Sequence, residues 1–103
     1  PYSAGTFVDK AGKAHHLTAR DFELLPDEYW SSPKTGAHYP VSWRIRVPSL
    51  HIDMTCRAEL SNQELVTSSG RNSYWEGAVV YIGTQAGRGY LEMTGYDKPI
   101  SFE

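Results

Sequence analysis

The stretch VSWRIRVPSLHIDMTCRAEL, residues 41–60, decides the fold class of this chain. Apolar and polar side chains alternate through residues 41–47 and again through 50–58, which is the period of a half-buried β-strand. We therefore predict an antiparallel hairpin. An open corner at Pro48 and Ser49 is the alternative, because proline removes a ladder donor. The residues predicted to face the core are Val41, Trp43, Ile45, Val47, Leu50, Ile52, Met54, Cys56 and Ala58.

The period of two continues along most of the chain, and no stretch shows the spacing of an amphipathic helix. Residues 5–24 predict a short strand around Phe7, a turn at 9–12 and a second strand through Leu17 and Phe22. The predicted fold is therefore all-β and antiparallel, built from meander hairpins.

Two further strands are predicted near the end of the chain. They are YWEGAVVYIG at residues 74–83 and GYLEMTGY at 89–96, joined by a glycine-rich turn around 85–87. By composition, residues 31–40 and 61–72 are predicted to be loops.

The composition describes one globular domain over residues 1–103, with 40% hydrophobic residues and ten basic against twelve acidic side chains. A domain of this size buries only about two-thirds of the surface that its unfolded chain exposes, so a partner domain can contribute to its stability. The net charge of −2 offers no basic stripe for a phosphate backbone, which argues against nucleic acid as a partner. No apolar run approaches the roughly 20 residues of a transmembrane segment.

The register of the last hairpin is predicted by pairing like residues across the two strands. The predicted partners are Ile82 with Gly89, Val80 with Leu91, Ala78 with Met93 and Glu76 with Gly95. Glu76 then ends an apolar face, where desolvation would raise its pKa and suit it to act as a general acid. The alternative is a Glu76 that is exposed at the margin of the sheet or paired with an arginine such as Arg88 or Arg44. The opposite face is predicted to collect Trp75, Val79, Tyr81, Tyr90, Glu92, Thr94 and Tyr96.

Neither a metal site nor a cofactor is predicted. His15 and His16 are adjacent and point to opposite faces of a strand, while His38 and His51 have no carboxylate at ligand spacing. Cys56 lies on the apolar face of its strand, which favours a small core residue over a nucleophile. The chain contains no Gly-x-Ser-x-Gly motif, which argues against an ordinary serine hydrolase.

Three motifs resemble the C-terminal part of the AttH-like and carotenoid 1,2-hydratase (hydroxyneurosporene synthase) family: WSSPKTGAHYPVSW at 30–43, YWEG at 74–77 and GYLEMTGY at 89–96. The resemblance covers about residues 7–96. Members of this family resemble two lipocalin-like (calycin-type) β-barrel or sandwich halves in one polypeptide. The resemblance therefore implies that this chain is the C-terminal half of a longer protein, and Pro1 leads us to expect a processed or truncated product.

The shared theme of the family is an apolar ligand such as a polyene, a terpenoid or a lipid. The resemblance assigns fold or ligand-lining roles to the motif residues Trp30, Tyr39, Trp43, Trp75, Glu76, Tyr90, Glu92 and Tyr96. It brings no catalytic residue with it, so Glu76 is a catalytic candidate on chemistry alone. The alternative role for the three tryptophans is packing in the core or between domains.

Three functions follow as hypotheses. The chain is a domain of a hydratase/lyase-like enzyme or predicted hydrolase acting on an apolar small molecule, a non-catalytic carrier of such a ligand, or a structural domain that braces a catalytic half. The expected partner is a missing N-terminal domain or a second copy of the chain. By family resemblance we expect a periplasmic, cell-envelope or secreted location.

Overall fold

The computed structural model describes residues 3–67 and 73–96, and within them the chain forms ten β-strands and one short 3₁₀ helix, Pro48–Leu50. The strands are β1 (Ala4–Val8), β2 (Ala14–Thr18), β3 (Glu23–Pro26), β4 (Tyr29–Ser31), β5 (His38–Pro40), β6 (Ser42–Val47), β7 (Ile52–Ala58), β8 (Glu64–Val66), β9 (Ser73–Gly83) and β10 (Gly87–Thr94). The strand pairs within the described residues are antiparallel. The predicted all-β fold is confirmed.

Six of these strands form one curled sheet, a half-barrel consistent with the predicted lipocalin-like fold. Their order is β10, β9, β7, β6, β3, and β8 pairs with the first residues of the long strand β9. Strands β1 and β2 form a separate hairpin, as do β4 and β5. Within the described ranges, no helix is long and apolar enough to cross a membrane.

The central hairpin of β6 and β7 is confirmed. Val47 pairs with Ile52 and Trp43 with Cys56, so the predicted apolar face is continuous across both strands. The 3₁₀ helix makes the connection, with Pro48 at its start, where a missing N–H costs little. His51 follows in the left-handed region at φ 55° and returns the chain to β7.

Three predicted boundaries were wrong. The second strand of the first hairpin ends at Thr18, before Phe22, because the Asp21 carboxylate accepts the Thr18 backbone N–H (2.6 Å) and turns the chain. The predicted loop 31–40 carries strand residues at both ends, since His38 pairs with Ser31. The predicted loop 61–72 contains β8, and its residues 68–72 lie outside the described part of the chain.

The main buried cluster lies where the β4–β5 hairpin covers β9 and β10. Its centre is Trp75 and Tyr39, both fully buried, and its other members are Ala37, Val41 and Met93. Trp30 and Trp43 pack against it, together with Ala58 and Leu91. All three tryptophans therefore contribute to the core. Cys56 is buried as well, which confirms its placement on the apolar face.

The predicted register of β9 against β10 was wrong by three residues. Gly89 lies opposite Val79 rather than Ile82, and Met93 lies opposite Trp75. An odd shift turns one strand over relative to the other, so the two faces of β9 are exchanged, whereas Leu91 and Met93 of β10 stay on the predicted apolar face. The residues Trp75, Val79 and Tyr81 consequently face the inside of the half-barrel, whereas Ile82 is 62% exposed on the outside.

Replacing Asp9 by asparagine is expected to flatten the acid dependence of stability. The Asp9 carboxylate contacts His15 Nε2 (3.0 Å) and accepts the N–H groups of Ala11 and Lys13 (2.9 Å each), and the His15 contact is the main cause that lowers the pKa of Asp9. Since the folded pKa is depressed, this stabilisation is present above about pH 4 and is lost as the pH falls through the folded pKa. Urea midpoints at pH 5 and pH 3 measure the loss.

The matched control is Asp27→Asn, because within the described residues the Asp27 carboxylate has no side-chain hydrogen bond. Asp27→Asn should lose as much stability between pH 5 and pH 3 as the unchanged protein. A parallel loss in Asp9→Asn would show that this carboxylate does not stabilise the hairpin.

Candidate functional site

The inner face of the half-barrel carries a continuous apolar depression, here called the trough. Its largest part, about 280 Å³, lies between the β1–β2 hairpin and the middle of the sheet. Two neighbouring concavities of about 200 and 120 Å³ share lining residues with it. The larger of the two shares Phe7, Ile52 and Met54 with it, the smaller shares Leu24 and Ile45, and Tyr81 lines both of these smaller concavities. The apolar lining also includes Leu17, Phe22, Trp43, Val47, Cys56 and Leu91.

The trough carries no charged side chain among the described residues that line it. Its polar side chains are those of Thr6, Gln85 and Tyr81, together with the indole N–H of Trp43, which donates to the carbonyl of Pro40 (3.1 Å). Nearby charges lie on the outer face of the sheet, as in the ion pair of Arg44 with Asp53 (2.7 Å). The trough therefore presents an uncharged surface with few polar groups.

Tyr81 and Cys56 face each other across β9 and β7 in the floor of the trough. Burial raises the pKa of the Cys56 thiol, and a hydrogen bond with Tyr81 only partly offsets this. Burial also raises the pKa of the Tyr81 hydroxyl. Both groups are consequently protonated at neutral pH, so they provide a hydroxyl and a thiol rather than a nucleophilic anion.

Tyr81 owes its position to Gly89 on the neighbouring strand. A methyl group added at Gly89 would lie 2.6 Å from Cε2 and 2.8 Å from the hydroxyl of Tyr81. Such distances are far below van der Waals contact, so the tyrosine ring occupies the space that a side chain at Gly89 would need. The glycine in the GRGY stretch is therefore the complement of a large inner residue.

Gly89→Ala is expected to displace the Tyr81 ring and to lower the free energy of unfolding by about 1–3 kcal/mol, as other overpacked sites do. The control is Gly87→Ala on the same strand, because a methyl group there would meet nothing within 4 Å. The control should stay within about 0.5 kcal/mol of the unchanged protein. Urea unfolding measures both variants, and equal effects would contradict the close fit.

The eight residues predicted from the motifs fall on opposite sides of the sheet. Trp30, Tyr39, Trp43 and Trp75 lie in or against the core, and the Tyr39 ring stacks on Trp30 (6.2 Å between centroids). Tyr96 joins this group, 5.7 Å from Tyr39, and its pKa is raised by burial. Only Trp43 of these lines the trough. Their predicted ligand contacts are untested.

The other three predicted residues share the outer face. Glu76 lies directly opposite Glu92, and the exposed Tyr90 lies beside them. Partial desolvation, and then the negative charge of Glu76, raises the pKa of Tyr90. The predicted placement of Glu76 at the end of an apolar inner face was therefore wrong, because the register differs. Its catalytic role stays an untested prediction, without the desolvated setting that suggested it.

Sequence reasoning missed Glu64, which joins the β4–β5 hairpin to β8 and β9. Its carboxylate accepts hydrogen bonds from the hydroxyls of Ser32, of Thr35 (2.7 Å) and of the buried Tyr39 (2.7 Å). Glu64 in turn pairs with Trp75 in the sheet. The available signal was that Glu64 is the single acidic residue of the predicted loop 61–72. Its three partners, Ser32, Thr35 and Tyr39, all lie in the predicted loop 31–40.

Glu64→Gln is expected to lower the free energy of unfolding by roughly 1–3 kcal/mol, because hydrogen bonds to a charged acceptor are lost and an amide N–H₂ faces hydroxyl donors. Glu59→Gln is the control, since Glu59 is exposed and should change stability by less than about 0.5 kcal/mol. A double-mutant cycle with Tyr39→Phe isolates the Tyr39 bond. Additive effects of the two substitutions would show that this bond contributes nothing to stability.

Among the described residues, no group of three or more His, Cys, Asp or Glu side chains is arranged to hold a metal ion. His15 contacts Asp9, and His38 Nδ1 lies 2.6 Å from the hydroxyl of Ser31. The polar chemistry nearest to the trough is thus that of Tyr81, Cys56 and neutral side chains.

Comparison with known proteins identifies relatives of the whole described chain. A family model described as AttH-like matches residues 1–96. The crystal structure of an AttH candidate from Nitrosomonas europaea is 32% identical, with a TM-score of 0.82 over 92% of this chain. The chain spans only 30% of the length of that protein. A search of functionally curated proteins gave no significant match.

Proposed function

The chain belongs to the AttH-like family, and on this premise we propose that it is a lipocalin-like domain whose trough binds an apolar small molecule. The observation that carries the proposal is the trough itself. It is concave, apolar and continuous, and its lining comes from both the half-barrel and the β1–β2 hairpin. Ligand sites in proteins are concavities of this kind, lined by apolar and aromatic side chains with a few polar groups.

The size of the trough supports a small ligand. Its largest part, about 280 Å³, is close to the lower end of the roughly 300–1,000 Å³ typical of ligand pockets. The trough is open to solvent along one side, and Leu24 on the edge strand β3 is 50% exposed. A ligand, or a further part of a longer protein, would remove this apolar surface from water.

In this proposal the domain holds the ligand and does not itself supply the reacting group. The described lining of the trough has no carboxylate or histidine, and protonation of an alkene requires a proton donor at the ligand. If the complete protein is a carotenoid-hydratase-like enzyme, the donor comes from outside this trough. We further propose, from the resemblance of the motifs, that the chain is the C-terminal half of a longer exported protein.

Leu24→Asp tests the proposal, with Nile red, an uncharged fluorescent dye, as the probe. Leu24 lines two parts of the trough and is half exposed, so a carboxylate there is tolerated by the fold but faces the bound dye. We expect the affinity of the intact protein for Nile red to fall at least about tenfold, because an unpaired charge must be desolvated on binding. Fluorescence titration gives the dissociation constant.

The matched control is Leu25→Asp. Leu25 is the next residue of β3, is 42% exposed and pairs with Arg44 in the sheet, so its side chain projects to the outer face. This variant should bind Nile red like the unchanged protein. Absence of saturable binding, or equal losses in the two variants, would refute ligand binding in the trough.

Bracing of another domain is the second candidate function, and the open side of the trough favours it. If Leu24→Asp leaves Nile red binding unchanged but weakens the association of the domain with the remainder of a longer protein, the trough is a packing surface. Limited proteolysis of the intact protein reports that association, since a released domain exposes its connecting segment.

A further inference from the structure

We infer that the ligand of the trough is uncharged and carries one oxygen group, such as a hydroxyl or carbonyl, that hydrogen-bonds to the hydroxyl of Tyr81. This inference rests on the proposed function, because it names the chemical class of the ligand for the same trough. Tyr81 would then be the residue that orients the ligand and sets its specificity. Tyr81 lies outside the three motifs, and the predicted register placed it on the face opposite the apolar one.

The absence of charge in the lining is the first argument. No Lys, Arg or His lies among the described residues that line the three parts of the trough, so a carboxylate or phosphate head group would enter without a counter-charge. Burying an unpaired ion costs several kcal/mol even after relaxation. Fatty-acid anions and phospholipid head groups are therefore disfavoured, whereas a neutral molecule has no charge to desolvate.

The position of Tyr81 is the second argument. Its side chain lines both smaller parts of the trough, and it is fixed from one side by the backbone at Gly89. The side chain opposite it in the trough is that of Cys56, and a thiol is a weak hydrogen-bond partner. A ligand oxygen can replace the thiol and form a stronger bond, so the site gains from a polar atom at this point.

The other polar side chains of the lining are less suited to this role. Trp43 already donates its indole N–H to Pro40. Thr6 lies in the β1–β2 hairpin, and Gln85 lies in the exposed turn between β9 and β10. Tyr81 is partly buried and belongs to strand β9, which continues to Gly83. A hydroxyl on a rigid ring held by a strand positions a ligand better than a flexible amide in a turn.

Three naphthalene derivatives of nearly equal shape test the inference: naphthalene, 2-naphthol and 2-naphthoate. Their affinities for the intact protein are measured by displacement of Nile red at pH 7, where 2-naphthol is neutral and 2-naphthoate is an anion. We expect 2-naphthol to bind most tightly and 2-naphthoate most weakly. Tyr81→Phe keeps the ring over Gly89 and should weaken 2-naphthol about 3- to 10-fold, the effect of one hydrogen bond, while leaving naphthalene unchanged.

The matched control is Tyr90→Phe, which removes a hydroxyl from the outer face and should change none of the three affinities. The inference is overturned if 2-naphthoate binds as tightly as 2-naphthol, or if Tyr81→Phe leaves 2-naphthol unchanged. In both cases displacement of Nile red still supports the proposed function. If Nile red itself shows no saturable binding, the proposed function fails and the inference fails with it. If Nile red binds saturably but 2-naphthol does not displace it, the inference alone is overturned.

Discussion

The pairing of β9 with β10 is the constraint on which the rest of the structure depends. With Gly89 opposite Val79 and Gly87 opposite Tyr81, the inner side chains of β9 near the turn face glycines of β10, and the Tyr81 ring takes the space above Gly89. This register places Trp75 in the core and Tyr81 in the trough. It also sends Glu76 to the outer face. A single pairing therefore decides which of the motif residues build the domain and which are left to solvent.

The Glu64 carboxylate connects the motif around Trp30 to the strand that carries Trp75. The hairpin that contains Ser32, Thr35 and Tyr39 makes few sheet contacts of its own, and its hydroxyls converge on a residue from β8. Partly buried hydroxyls need partners, and a carboxylate can accept several hydrogen bonds at once. The β4–β5 hairpin, Glu64 and Trp75 thus form one polar and aromatic joint between the hairpin and the sheet.

The trough and this joint differ in polarity and in burial. The joint is polar, aromatic and buried, as a structural element is. The trough is apolar, uncharged and open, with its polar centre at Tyr81 and Cys56. The chain spans 30% of the length of its structural relative, and both proposed functions, ligand binding and bracing, depend on the open side of the trough.

The sequence alone determined the all-β fold and the central hairpin with Trp43 and Cys56 on its apolar face, because strand periodicity depends on neighbouring residues and is visible locally. The motifs also placed the chain in its family. The sequence did not determine the β9–β10 register, since apolar residues occur on both faces of these strands and several pairings match like with like. Nor did it reveal the contacts of Glu64, whose partners lie 25 to 32 residues away. Only the tertiary structure decided these points, because the fit of Tyr81 over Gly89 and the hydroxyls around Glu64 depend on residues brought together by the curl of the sheet.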